Sequence, residues 1–318
     1  MILDVCMEKR ARSEWRWKHL AFCPHVFEDE KQIETYWRQL EKDLQEAVSE
    51  CPVYDWKTLV RHGFTWSFEL PHLNHGCRWI RELFVKLFVP SFHEFFEKPP
   101  PTTRTRGEKI RVGFLVTPGH EGGFIRRTAG IIERLNRERF EPIWICHRSS
   151  EARLQHAFRR FAPLRLVFDS DFESAVHTIR NASCDLIYHW KVGADPWSLF
   201  LPMCRLSPVQ CTSWATHGTS GMPCIDHHLS WDRAEPENAQ EQYTESLIRF
   251  KCPPLYETAP VRQPTASRRE LGLSESGAIY FCPHRIQKYH PGFDHYLEEV
   301  LAKDAMGHVV LLCGNGRL

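Results

Sequence analysis

Long apolar runs are missing from this chain of 318 residues. No stretch approaches the roughly 18 consecutive apolar residues that a membrane-spanning helix needs. The charged start, residues 1–16, has no apolar core of the kind a secretory signal carries. The expectation is a cytoplasmic protein without a membrane contact. Excess charge is missing too. The 41 Lys+Arg against 40 Asp+Glu leave a formal net charge of +1, so no general attraction draws nucleic acid or anionic lipid to the surface.

Twelve cysteines are present, but no two stand as C-x-x-C. That spacing argues against both a paired-ligand zinc site and a redox dithiol. Cys146 and Cys313 lie inside apolar runs, where a thiol acts as a small hydrophobe. Reduced, buried thiols and no metal are expected; His19, Cys23 and His25 are close in sequence but lack a second pair. Three further motifs are absent. Without G-x-x-x-x-G-K-[ST] there is no ordinary P-loop, and Gly314-x-Gly316 lacks the third glycine of a dinucleotide fingerprint. Ser220 lacks the G-x-S-x-G elbow of a serine hydrolase.

What remains is a globular composition: 42% hydrophobic and 12% aromatic residues, enough to bury a core and to exclude disorder for the bulk of the chain. The length allows two domains and part of a third. Residues 1–97 read as helical. Asp29 to Gln32 resembles a capping box, and Ile33, Tyr36, Trp37, Leu40, Leu44, Ala47 and Val48 follow at steps that place one stripe on a helix ending near residue 50. A second helix over 79–97 carries Trp79, Ile80, Leu83, Phe84, Leu87, Phe88, Phe92, Phe95 and Phe96, with Pro90 as a kink or break. Its aromatic load suits a helix pressed against another domain. Residues 98–107, rich in proline, form a linker.

Beyond the linker the grammar changes. Strands are expected at 109–117, 142–147, 164–168, 185–190 and 209–214, with helices near 123–135, 151–161, 172–181 and 197–205. His227 and His228 read as strand residues pointing to opposite faces. Strand and helix in turn mean βαβ units and a parallel sheet, hence a doubly wound, Rossmann-like α/β domain over 108–260. Leu271-Gly272-Leu273 reads as the close of a short helix, followed by a strand at 277–282, a helix at 291–303 and a strand at 308–313. Residues 275–318 thus hold one βαβ unit, against about 100–150 residues in a usual domain. The chain is expected to stop partway through a second Rossmann-like domain.

Ligands of open parallel sheets bind outside the carboxyl ends of the strands, which selects three loops. Residues 117–123 carry glycines for close approach, a helix start that offers N–H groups to an anion, and His120 to take a proton or contact a sugar. Residues 214–221 hold Gly218, Thr219, Ser220 and Gly221, read either as a polar loop for hydroxyls or phosphate or as a tight turn whose side chains cap the next segment. Residues 282–291 place Arg285 and Lys288 beside a strand end, where they suit a diphosphate leaving group; a solvated basic loop is the alternative.

At these loops the chain resembles the protein O-linked N-acetylglucosamine transferases and their plant and bacterial SPINDLY-type relatives. RVGFLVTPGHEGGF is similar to that family's opening strand and histidine loop, SPVQCTSWATHGTSGMPCIDHHLSWDRAEPENAQEQYTESLIRF to its GTSG stretch, and GLSESGAIYFCPHRIQKYHP to its GLPE…FNQxYKIxP stretch. The resemblance implies a GT-B architecture of two facing Rossmann-like domains. It implies inverting, metal-independent transfer of a sugar, N-acetylglucosamine in the first instance, from a nucleotide-sugar to Ser/Thr hydroxyls of acceptor proteins. No cofactor is implied beyond the UDP-sugar donor. His120 falls on the family's catalytic-loop histidine, Lys288 on its diphosphate lysine, Arg285 on a glutamine near the nucleotide, and 218–221 on the GTSG loop. Thr216-His217 replaces an aromatic-proline pair, and the family's later nucleotide-binding motifs would lie beyond Leu318. A catalytically inert binding module derived from such an enzyme is the second expectation. A nicotinamide oxidoreductase of the same fold class is disfavoured by the missing fingerprint.

Overall fold

The computed structural model describes residues 18–50, 53–61, 63, 65–66, 70–73, 75–95, 108–159, 163–257 and 265–312. The proline-rich stretch at 98–107 and the Gly314-x-Gly316 end lie outside them. The chain divides into two compact units, one of residues 1–21, 43–68 and 76–258, the other of residues 22–42, 69–75 and 259–318.

The first long helix, α1 (Glu30–Ser49), starts where Asp29 accepts from the Gln32 backbone N–H at 2.7 Å and the Gln32 side chain accepts from the Glu28 N–H at 3.0 Å. Its stripe of Ile33, Trp37, Leu40, Leu44 and Ala47 is buried, as the spacing requires. A short α2 (Trp56–Arg61) precedes α3 (Arg78–Phe92). Pro90 is accommodated in the last turn of α3, and the chain continues as a 3-10 turn at His93–Phe95. Trp79 departs from the expected stripe: it is 36% exposed, while Ile80, Phe84, Leu87, Phe88 and Phe92 are buried. Helix α3 belongs to the same unit as the large sheet that follows.

That sheet is built from β1 (Ile110–Val116), α4 (Glu121–Arg134), β2 (Phe140–His147), α5 (Glu151–Phe158), β3 (Leu164–Phe168), α6 (Phe172–Asn181), β4 (Leu186–His189), α7 (Pro196–Phe200), β5 (Val209–Ser213), β6 (His227–Trp231) and β7 (Ser246–Phe250). All seven strands are parallel, in the order β3-β2-β1-β4-β5-β6-β7. The doubly wound Rossmann-like reading is therefore correct. Phe114, Val116, Trp144, Cys146 and Tyr188 from the strands, with Trp190 just after β4, pack with Phe124 and Ile132 of α4 and Leu154 and Phe158 of α5. A second aromatic cluster joins α3, α6 and α7, where Phe92 and Phe200 stack at 4.9 Å and Phe92 meets Phe172 edge-on at 5.7 Å. The β6 side chains alternate in burial, which places His228 inside and His227 on the opposite face. Strand β7 had no counterpart in the sequence reading; it is an edge strand of mostly exposed residues, so its sequence carries little apolar pattern to read.

In the second unit, β8 (Ile279–Cys282) and β9 (His308–Leu311) form a parallel pair connected through α8 (Phe293–Lys303). The helix expected to close at Leu271 is a turn over 268–272. Gly272 donates to the Arg269 carbonyl at 3.0 Å with φ +67, and Glu270 accepts from the Ser267 N–H and hydroxyl. Local side chain–backbone bonds of this kind compete with helix formation. Among the described residues no helix is long and apolar enough to cross a membrane, and nine cysteines are free thiols.

Candidate functional site

The connections of the seven-stranded sheet run outward from β1 to β3, then return to β4 and continue to β7. The order therefore reverses between β1 and β4, and the crevice outside the carboxyl ends of those two strands is where such sheets bind ligands. The loops after β1 and after β4 meet there. Thr117, the residue after β1, is buried; Gly119 turns the chain at φ +85; His120 occupies the N-cap position of α4 without using its side chain as a cap. From the other side, Asp195 caps α7.

Asp195 holds the arrangement together. One carboxylate oxygen, Oδ1, accepts from the backbone N–H groups of Trp197 at 2.9 Å and Ser198 at 3.2 Å, and the Ser198 hydroxyl returns the capping-box bond. The other, Oδ2, accepts from the Thr117 hydroxyl at 2.6 Å and stands 3.3 Å from His120 Nε2. Burial pushes the pKa of this carboxyl up, but the bonds from His120, Thr117 and Ser198 outweigh burial and hold it below the usual carboxylate range. The side chains of His120 and Asp195 are 22% and 18% exposed. The result is an ionised carboxylate behind an accessible imidazole.

The helix start next to His120 is not a vacant anion cradle. Glu121 is buried, its carboxylate accepts from the Gly119 N–H at 3.1 Å and from the Ser150 hydroxyl, and Arg153 lies 3.7 Å away. Burial raises this group as well, and the bonds from Ser150 and the backbone reverse the effect. A negative charge already sits where α4 presents its positive end. Glu121 and Asp195 thus put negative charge at this helix start, which disfavours a diphosphate there.

In the loop 218–221 the hydroxyls face inward. Thr219 and Ser220 are buried and turned onto Glu245, the Thr219 hydroxyl at 2.5 Å and the Ser220 N–H at 2.7 Å, with the Ser220 hydroxyl on the same carboxylate. The Arg81 guanidinium of α3 donates to the Thr219 carbonyl. Gly221, at φ +70, lets the loop approach the Arg81 backbone, which a Cβ would meet at 3.2 Å. The close approach that glycine permits is thus to the protein itself. Gly218 remains exposed at φ +72. Thr216, one of the departures from the family pattern, accepts from the Val192 N–H at 3.0 Å and ties the loop after β5 to the loop after β4.

Arg285 and Lys288 lie in the second unit, on the loop after β8, where a 3-10 turn spans Ile286–Lys288. Both are exposed, and neither has an ion-pair partner among the described residues. His120 and the 218–221 loop belong to the first unit.

Asp195 and Glu245 were not legible as site residues, and Thr117 was marked only as part of the 117–123 loop. Asp195-Pro196 followed by Ser198 is the signature of a capped helix with proline at its first position, and it marks the helix start one residue ahead of where apolar periodicity puts it. An apolar cavity of about 640 Å³ lies elsewhere. Val112 and Phe114 of β1, Tyr188 of β4 and Phe250 of β7 line it together with Ile131 of α4 and Tyr256. It therefore lies over a face of the sheet, and none of Thr117, His120 and Asp195 lines it.

No family model matches the chain, and no curated protein matches it in sequence. Its fold is similar to that of a solved O-GlcNAc transferase of Thermobaculum terrenum, a point mutant, with 16% identity and a TM-score of 0.59. The match covers 97% of this chain and 57% of that one, so the chain spans a little over half of that structure's length.

Proposed function

We propose that the chain carries the hydroxyl-activating half of a glycosyltransferase that moves a sugar, N-acetylglucosamine in the first instance, from a nucleotide-sugar to Ser/Thr hydroxyls of proteins. The observation that carries this reading is the His120–Asp195 pair at the β1/β4 reversal, 3.3 Å apart. A base that removes a hydroxyl proton needs a partner that holds its ring, and the Asp195 carboxylate faces Nε2 of His120. The fold likeness to an O-GlcNAc transferase supports the same chemistry. Arg285 and Lys288, exposed and without ion pairs among the described residues, supply positive charge for a leaving diphosphate.

Transfer is a direct displacement, with His120 at the acceptor and sugar and Lys288 at the diphosphate. The test is incubation with UDP-N-acetylglucosamine and a Ser/Thr-rich acceptor protein, reading sugar incorporated. His120→Ala and Lys288→Ala are each expected to lower incorporation by about a hundredfold or more; unchanged turnover in both rejects the assignment. Millimolar UDP is expected to raise the thermal midpoint, because a ligand of the native state stabilises it. No shift, together with no incorporation, favours the inert binding module derived from such an enzyme.

A further inference from the structure

Within that reading, we infer that Asp195 is the positioning residue of the site: it holds His120 with the proton on Nε2 and so makes Nδ1 the atom that takes the acceptor's proton. The inference rests on who faces whom. Oδ2 of Asp195 stands 3.3 Å from Nε2, and an ionised carboxylate accepts and cannot donate, so Nε2 carries the hydrogen. The carboxylate is itself immobilised. The Thr117 hydroxyl shares Oδ2 at 2.6 Å, and two backbone N–H groups of α7 hold Oδ1. Nδ1 has no hydrogen-bond partner among the described residues and is not enclosed. In a neutral imidazole one nitrogen donates and the other accepts, and the partner of the first decides which is which.

The proton and electron count closes without another reagent. The acceptor hydroxyl gives its proton to Nδ1 while its oxygen bonds to the anomeric carbon of the nucleotide-sugar. The bond from that carbon to the phosphate oxygen breaks, and its electron pair stays on the phosphate. The imidazolium so formed is stabilised through Nε2–H by Asp195, then loses the Nδ1 proton to water.

The experiment reads the tautomer, so it does not depend on turnover. In the full chain with ¹⁵N-labelled histidine, long-range ¹H–¹⁵N correlation, assigned by comparison with His120→Ala, is expected to show His120 protonated on Nε2 and bare on Nδ1 at pH 8. Asp195→Asn places an amide N–H₂ against Nε2 and is expected to move the proton to Nδ1; Ser198→Ala, which breaks the capping box and leaves Oδ2 in place, is expected to keep the original tautomer. An Nδ1–H tautomer in the unsubstituted chain overturns the inference, and so does an Asp195→Asn chain, folded by its thermal midpoint, in which the tautomer is unchanged. If Asp195→Asn fails to fold, the unsubstituted tautomer alone decides. In the transfer assay the same variant is expected to lose about a hundredfold in kcat with the donor KM unchanged. A correct tautomer with no transfer to any acceptor sinks the proposed function and leaves the positioning role standing.

Discussion

Strand β1 with α4 and strand β8 with α8 are two versions of one design, a parallel strand that runs through a loop into a helix, and they differ in everything but that. Around the first, Phe124 and Ile132 of the helix are buried, Thr117 and Glu121 are buried and bonded, and the strand has neighbours on both sides. Around the second, among the described residues, none of α8 is buried, Phe281 is 55% and Tyr296 65% exposed, and β8 pairs with β9 alone. The same sequence grammar yields the same elements whether or not further layers cover them. Only where layers close does a loop become a wired site; the cations of the second loop stay in solvent.

The largest expected break in that comparison is energetic. Phe124→Ala removes a fully buried ring that meets Phe158 and Trp190 edge-on at 6.0 and 5.9 Å. It is expected to cost about 3–5 kcal/mol, read by chemical denaturation. Tyr296→Ala on α8 is expected to stay within about 0.5 kcal/mol. Comparable losses at both positions would mean that α8 is as enclosed as α4.

A change of pH separates the regions next. Burial pushes His189 and His228 of the first unit down to about 4 from the free value of 6.5. The unfolded chain then binds more protons than the native one as pH falls from 6.5 towards 4, so stability drops with acidification across that window. Each histidine is expected to cost about 2 kcal/mol at pH 5 relative to pH 8. Asp195 acts lower: its contribution is complete above the unfolded carboxylate value of about 3.9 and is lost as pH falls through the depressed native value. Melting at pH 8 and pH 5 checks the sign, and His189→Gln is expected to flatten the dependence; a midpoint that rises at pH 5 contradicts it.

The smallest effect concerns thiols. Cys252 is exposed, whereas Cys146 and Cys211 are buried and pushed up to about 12 by that burial. A thiolate is the reactive form. Brief alkylation of the native chain at pH 7.5, mapped by peptide mass, is expected to label Cys252 well ahead of Cys146 and Cys211. Equal labelling of the three would mean that the first unit opens readily.

Much of the first unit was readable because its strands are short β-rich runs and its helices have one apolar stripe each. The stripe of α1 and the alternation of β6 follow from local period alone. Where side chains compete locally with the backbone, as Ser267 and Glu270 do, the expected helix near Leu271 gave way to a turn. For the candidate site, His120 stands out in sequence through its glycine-rich loop after a strand. Its partner does not, because Asp195 is far along the chain and looks, in sequence, like an ordinary helix cap. The hydroxyls of Thr219 and Ser220 looked available for a ligand, since nothing local reveals that Glu245 takes them.

Period and punctuation in the chain were enough to determine the βαβ succession, the parallel sheet and the loops that end at its carboxyl edge, because those features depend on residues a few positions apart. Folding in three dimensions decided which of those loops share a carboxylate, which hydroxyls are already engaged and which cations stay free. Those outcomes depend on burial and on hydrogen bonds between residues far apart in sequence, such as the 2.6 Å bond from Thr117 to Asp195, and no local pattern encodes them.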